Sequence, residues 1–92
     1  MALRNGTATV GLTNTIETKL KADNIAVNVS SKENAEKQNY DKTVVVILND
    51  SAKDLGAVLA KDLNASVGEL PEGEIKPKDT DIVIILGKDA TK

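Results

Sequence analysis

The sequence predicts a small α/β domain in which two buried strands form the centre of a mixed sheet that two helices cover. Residues 43–48 and 82–86 are short, unbroken apolar runs rich in β-branched side chains. Because polar residues do not alternate with apolar ones in either run, both are typical of strands buried on two faces. Two other stretches show the three- and four-residue spacing of amphipathic helices. The order of elements is therefore β-α-β, β-α-β, β.

The composition indicates one domain and argues against several classes of function. Twelve basic residues are scattered among fourteen acidic ones, and Tyr40 is the only aromatic residue. Nucleic-acid-binding surfaces combine a clustered basic face with stacking aromatic side chains, so nucleic acid is not an expected partner. The chain has no cysteine and no histidine, which removes thiolate nucleophiles, histidine bases and zinc sites built on either residue. We expect no enzyme activity and no cofactor.

The first βαβ unit begins with a strand around Leu3 that ends in the turn-forming pair Asn5-Gly6. Thr7 or Thr9 is then expected to cap a helix over residues 9–22. The apolar stripe of that helix has a spacing of four residues and consists of Leu12, Ile16 and Leu20.

The rest of this unit is predicted as a strand followed by a long connection. Asn24 is placed to end the helix in the left-handed conformation. Residues 25–29 alternate and predict a strand with one apolar face, whereas residues 30–42 are polar and without period. Tyr40 is the expected anchor of that connection.

The second unit repeats the first. After the 43–48 strand, apolar residues recur at helical spacing from Ala52 to Leu63, and Asn64 repeats the helix-ending signal of Asn24. A short strand is predicted around residues 66–70, before the final strand at 82–86. Two tandem split βαβ units plus a C-terminal strand predict a two-layer sandwich related to the ferredoxin-like fold, with both helices on one face.

Helices on one face leave the other face of the two central strands to be covered. If Val44, Val46, Leu48, Ile82, Ile84 and Leu86 face the helices, the opposite set is Val45, Ile47, Val83 and Ile85. Burying these four side chains is worth roughly 6 to 12 kcal/mol, as much as the stability of a typical domain. The cover is expected to be another helix, the folded 30–42 loop, a second copy or a partner domain. The four residues are thus interface candidates, and a homodimer is one possible arrangement.

Two polar clusters are candidate ion sites, each with a simpler structural explanation. Asn5-Gly6-Thr7 before a helix could bind an anion, but a turn with a cap explains it equally well. Asp79, Asp81 and Asp89 could gather around a hard cation, although loop carboxylates are usually solvated. No metal site is predicted.

Four motifs in order resemble the C-terminal accessory domain of the LytR-CpsA-Psr family of bacterial cell-envelope proteins. They are Asn5-Gly6-Thr7, Gly11-Leu12 at the head of the first helix, Tyr-x-Lys-Thr-x-Val at residues 40–45, and Leu-Gly-x-Asp at residues 86–89. The order spans nearly the whole chain.

The resemblance implies an extracytoplasmic, non-catalytic module carried by a membrane-anchored envelope protein. The phosphotransferase chemistry of that family belongs to a separate upstream domain, and the membrane anchor would also lie upstream. The implied partner of this domain is a cell-wall polymer or an envelope protein. The binding positions that the motifs suggest are Asn5, Gly6, Thr7, Gly11, Tyr40, Gly87 and Asp89.

Overall fold

The computed structural model describes residues 1–25, 29, 31–77 and 80–91. Within these residues there are five strands, two α-helices and two short 3-10 helices at Asp50–Ala52 and Lys88–Thr91. In chain order, the main elements are β1 (Ala2–Asn5), α1 (Leu12–Ala22), β2 (Ser31–Asn34), β3 (Val44–Ile47), α2 (Lys53–Leu63), β4 (Ser66–Gly68) and β5 (Ile82–Leu86).

The five strands form one mixed sheet in the order β2-β1-β5-β3-β4. β1 is parallel to both β2 and β5, and β3 is parallel to β4 but antiparallel to β5. The predicted α/β class with two helices on a mixed sheet is confirmed. The strands of each βαβ unit are direct neighbours, however, and not separated as in a split unit. The C-terminal strand, which is buried along its whole length, joins the two units at the centre.

The predicted helices are confirmed, with one change at the start of α1. The helix begins at Leu12 and not at residue 9, because Gly11 occupies the position before it with φ of 81°. The prediction that Thr7 or Thr9 caps this helix is therefore wrong, since Gly11 is the N-cap and no side chain caps the helix. Leu12, Ile16 and Leu20 are buried as the spacing predicts. Asn24 and Asn64 follow the two helices in the left-handed conformation, with φ of 61° and 54°.

The interpretation of residues 30–42 as a loop is wrong at its beginning, where the second described strand lies. β2 lies at Ser31–Asn34, inside the segment interpreted as a loop. Of the predicted strand, residues 26–28 lie outside the described residues, while Ile25 and Val29 pack at the margin of the core. β2 is an edge strand defined by backbone pairing with β1, so its largely exposed polar side chains carry no strand pattern.

The sheet has an apolar core on each face. The helix-side core is formed by Leu3, Val45, Ile82, Ile84, Leu86 and the buried side chains of both helices. The opposite core consists of Ala2, Ala35, Val46, Val83 and Ile85, with Val44 and Leu48 beside it. The predicted facing of β5 is therefore confirmed, but that of β3 is reversed. Val45 lies opposite Ile84 and Val46 opposite Val83, and directly paired residues share a face.

Two loop segments cover the opposite core. Ala35 and Tyr40 come from the segment after β2, and Leu70 comes from the segment after β4. Of the covers considered above, the folded loop is the one that the structure contains. As a result, Val83 and Ile85 are at most 1% exposed. Val45 and Ile47 lie on the helix side, where Val45 is fully buried and Ile47 packs close to Gly56 of α2. These four interface candidates form no open sheet face among the described residues.

Candidate functional site

The four sequence motifs come together because of the sheet topology. β1 and β5 are parallel, so Asn5 and Leu86 end at the same edge of the sheet. β3 runs the other way, so the residues before it lie at that edge too. The segments that follow β1, follow β5 and precede β3 therefore meet at one junction. In open α/β sheets, such an edge at the carboxyl ends of strands is where ligands commonly bind.

Asn5 and Thr7 lock the loop that follows β1. The Oδ1 atom of Asn5 accepts hydrogen bonds from the Thr7 N–H at 3.0 Å and from the Thr7 hydroxyl at 2.7 Å. The Nδ2 group of Asn5 donates to the Thr9 carbonyl at 2.7 Å, and the Thr9 N–H donates to Thr7 Oγ1 at 3.1 Å. Asn5 and Thr7 are both buried, so their polar groups are used within the loop.

Gly6 and Gly87 allow backbones to approach closely at the junction. The Gly6 N–H donates to the Leu86 carbonyl at 2.9 Å, and a Cβ on Gly6 would lie 2.6 Å from that oxygen. A Cβ on Gly87 would overlap the backbone of Lys42. Both glycines are buried, so they support the junction from beneath the surface.

Asp89 also stabilises the junction. Its Oδ1 atom accepts from the Thr43 N–H at 3.0 Å and from the Thr43 hydroxyl at 2.6 Å. The same Thr43 oxygen accepts from the Gly87 N–H at 3.0 Å. These hydrogen bonds join Thr43, which precedes β3, to Gly87 and Asp89, which follow β5. The Lys-Thr and Gly-x-Asp motifs therefore have a structural role in connecting the two strands.

The carboxylates considered for a cation do not form a cluster. Asp79 lies outside the described residues. Asp81 precedes β5 and Asp89 follows it, so the five residues of the strand separate them by about 17 Å. Within the described residues, no group of three or more His, Cys, Asp or Glu side chains is placed to hold a metal ion.

Tyr40 anchors its segment, as predicted. Its hydroxyl donates to Glu74 Oε2 at 2.7 Å, and its N–H donates to the Gly6 carbonyl at 3.1 Å. Burial of the phenol, followed by the hydrogen bond and charge of Glu74, raises the pKa of Tyr40 to about 12. Both effects favour the protonated phenol.

Two clefts flank the loop at residues 7–11, and together we call them the loop groove. The first cleft has a volume of about 410 Å³ and separates this loop from β2; its lining includes Thr13, Asn34 and Gln38. The second has a volume of about 400 Å³ and is bounded by residues 38–41 and Lys88. Asn5, Thr7 and Gly11 line the first cleft, and Thr7 and Tyr40 line the second.

The apex of the loop is Val10, whose side chain is 97% exposed. Gly11 has a positive φ and no atom within 4 Å of a Cβ built on it, so its left-handed backbone and not a lack of space favours glycine here. Sequence reasoning missed Val10, Asn34 and Gln38 as groove residues. For Val10 a signal existed, because it falls outside the stripe of the following helix. No such signal marked Asn34 and Gln38, because both lie in the polar segment that was interpreted as a loop.

No helix in the part of the chain that the structure describes is long and apolar enough to cross a membrane. No curated protein and no solved structure matches the chain significantly. One family model does match, with the description LytR cell envelope-related transcriptional attenuator, and it covers residues 1–89. The match includes every motif that forms the junction, in agreement with the predicted resemblance. The chain therefore belongs to the family of LytR C-terminal domains, the accessory domains of LytR-type cell-envelope proteins.

Proposed function

We propose that this domain is a non-catalytic, extracytoplasmic module of an envelope protein and that it binds a cell-wall polymer through the loop groove. Membership of this family supports a role in the cell envelope. The groove lies at the edge of the sheet where the carboxyl ends of β1, β2 and β5 meet, which is the usual position of a ligand site in such folds.

The observation that carries this proposal is the contrast between the base and the apex of the loop. At the base, the side chains of Asn5 and Thr7 make four hydrogen bonds, three of them to backbone atoms of the loop. At the apex, Val10 is almost completely exposed and contributes nothing to the core. A rigid loop that presents an apolar side chain binds with little loss of conformational entropy, which is a property of binding sites.

The non-catalytic assignment is supported by what the polar groups of the junction already do. Asp89 is bonded to Thr43, and Glu74 accepts from two backbone N–H groups and from Tyr40. These carboxylates stabilise the fold. The alternative role is a structural domain that dimerises or packs on its parent protein through an open sheet face. The described residues offer it no such face, because Val83 and Ile85 are covered by the chain itself.

Retention on purified wall sacculi tests the proposal. We expect the wild-type domain to be retained and Val10→Ser to lose at least about fivefold of that retention, a change of about 1 kcal/mol. Val58→Ser is the matched control, because Val58 is also exposed but lies on α2 outside the groove. Circular dichroism checks that both variants are folded.

Two outcomes would contradict the proposal. Equal retention of Val10→Ser and wild type would remove the loop from the binding site. Retention that disappears when the sacculi are first treated with protease would show that the partner is an envelope protein and not the polymer.

A further inference from the structure

The charged residues of the loop groove neutralise one another. On the β2 side, the ammonium of Lys32 is 3.0 Å from Glu17 Oε1 and 2.8 Å from Asn14 Oδ1. Glu33 lies 3.6 Å from the guanidinium of Arg4. The second cleft is lined by one carboxylate, Asp41, and one ammonium, Lys88. The groove therefore has no net formal charge.

Neutral hydrogen-bonding groups make up most of the remaining polar lining. The side-chain amides of Asn34 and Gln38 are exposed and make no hydrogen bond within the described part of the chain. Each amide offers both a donor and an acceptor, and the hydroxyls of Thr9 and Thr13 do the same beside them. Such groups match ligand hydroxyls and amides without requiring a ligand charge.

Apolar contacts are available next to these groups. Val10 stands exposed at the apex of the loop, and Tyr40, the only aromatic residue of the chain, lines the second cleft. A ligand that fits this pattern has apolar faces together with neutral polar edges. Sugar rings that carry hydroxyl and acetamido groups have this character.

We infer that the loop groove binds an uncharged, N-acetylated glycan segment and discriminates against polymers that carry phosphate. The inference rests on the proposed function and specifies the ligand class for the same site. A phosphate polymer would require a concentration of cationic donors, such as an arginine cluster, to offset its charge. The groove has instead only two ammonium groups in its lining, and that of Lys32 is already paired with Glu17 and Asn14.

Titration of the isotope-labelled domain, followed by amide chemical shifts, tests this inference. The probes are the tetramer of N-acetylglucosamine and, separately, inorganic polyphosphate. We expect the tetramer to shift the amide signals of residues 8–13, 34 and 38, with a Kd that changes less than about twofold between low and high salt, because neutral contacts are not screened. Polyphosphate should shift none of these signals.

Substitutions identify the groups responsible. Asn34→Ala combined with Gln38→Ala should weaken tetramer binding at least about fivefold. Thr13→Ala should weaken it less, and Thr18→Ala, the same change on the exposed side of α1 outside the groove, should leave it unchanged.

The results separate this inference from the proposed function. If sacculi retain the domain but the tetramer causes no shifts, the glycan inference is overturned and the wall-binding function stands. Shifts with polyphosphate that weaken steeply with salt would also overturn it. Tetramer binding without retention on sacculi would support the ligand class and contradict the proposed wall-binding function.

Discussion

The two faces of the sheet are both buried, but by covers of different kinds. On one face, α1 and α2 lay continuous apolar stripes against Leu3, Val45 and Ile84. On the other, two loop segments cover Val46, Val83 and Ile85 with few apolar side chains of their own. We call α1 and α2 the helix cover and the two loop segments, which follow β2 and β4, the loop cover. The helix cover is stabilised mainly by the burial of apolar surface, whereas the loop cover depends on specific hydrogen bonds.

Glu74 is the centre of the loop cover. Its Oε1 atom accepts from the Glu36 N–H at 2.9 Å, and its Oε2 atom accepts from the Lys37 N–H at 3.3 Å and from the Tyr40 hydroxyl at 2.7 Å. One carboxylate thereby joins the segment after β4 to the segment after β2. The following predictions test whether the two covers fail in different ways.

The largest effect is expected on the helix side. Leu59→Ala removes a fully buried side chain of α2 and leaves a cavity, which should lower the free energy of unfolding by about 2 to 5 kcal/mol. Urea denaturation followed by circular dichroism measures the change. Val58→Ala, one position earlier on the exposed side, is the control. Equal effects of the two substitutions would contradict the proposed role of the stripe.

Loss of the Glu74 carboxylate should act locally. Glu74→Ala removes the acceptor of the partly buried Tyr40 hydroxyl, at a cost of about 1 kcal/mol, and of the exposed Glu36 and Lys37 N–H groups, which water can solvate instead. We expect faster hydrogen exchange at Ala35, Glu36 and Tyr40, with little change in the helices. Glu72→Ala, an exposed carboxylate of the same segment, is the control. Uniformly faster exchange in α1 and α2 would show that the two covers are not separable.

Alkaline pH should loosen the same cover. The pKa of Tyr40 is raised in the folded chain from an ordinary value of 10 to about 12. A phenol with a raised pKa contributes stability that is complete below pH 10 and is lost as the pH rises toward 12. Because the chain has a single tyrosine, tyrosinate absorbance reports this group alone. Glu74→Gln should move the transition back toward pH 10, and an unchanged midpoint in that variant would contradict the assignment.

The smallest effect is expected from a charged contact on the helix side. Lys19 contacts Asp23 at 2.7 Å and Asp62 of α2 at 3.2 Å, but its side chain is 46% exposed. Exposed ion pairs add little to stability, so Lys19→Ala should leave the urea midpoint unchanged within error. A loss as large as that of Glu74→Ala would show that the helix cover also relies on specific polar contacts.

Several elements of the fold were predictable because they have a local signal. The unbroken apolar runs indicated β3 and β5, the four-residue spacing indicated α1, and Asn24 and Asn64 indicated where the helices end. β2 was missed because its polar side chains are exposed and only its backbone pairs with β1. The candidate site was predictable in part: the motifs marked the junction, but the amides of Asn34 and Gln38 lie in sequence with no distinguishing pattern.

The sequence by itself determined which segments are apolar, how they are spaced and where helices stop, since each of these properties depends on side chains close together in the chain. The tertiary structure decided that β5 lies between the two βαβ units and that Val45, not Val46, faces the helices. It also decided that Glu74 holds the loops over the second core. Strand pairing uses backbone groups that almost every residue has, and a shift of one residue in register exchanges the two faces of a strand.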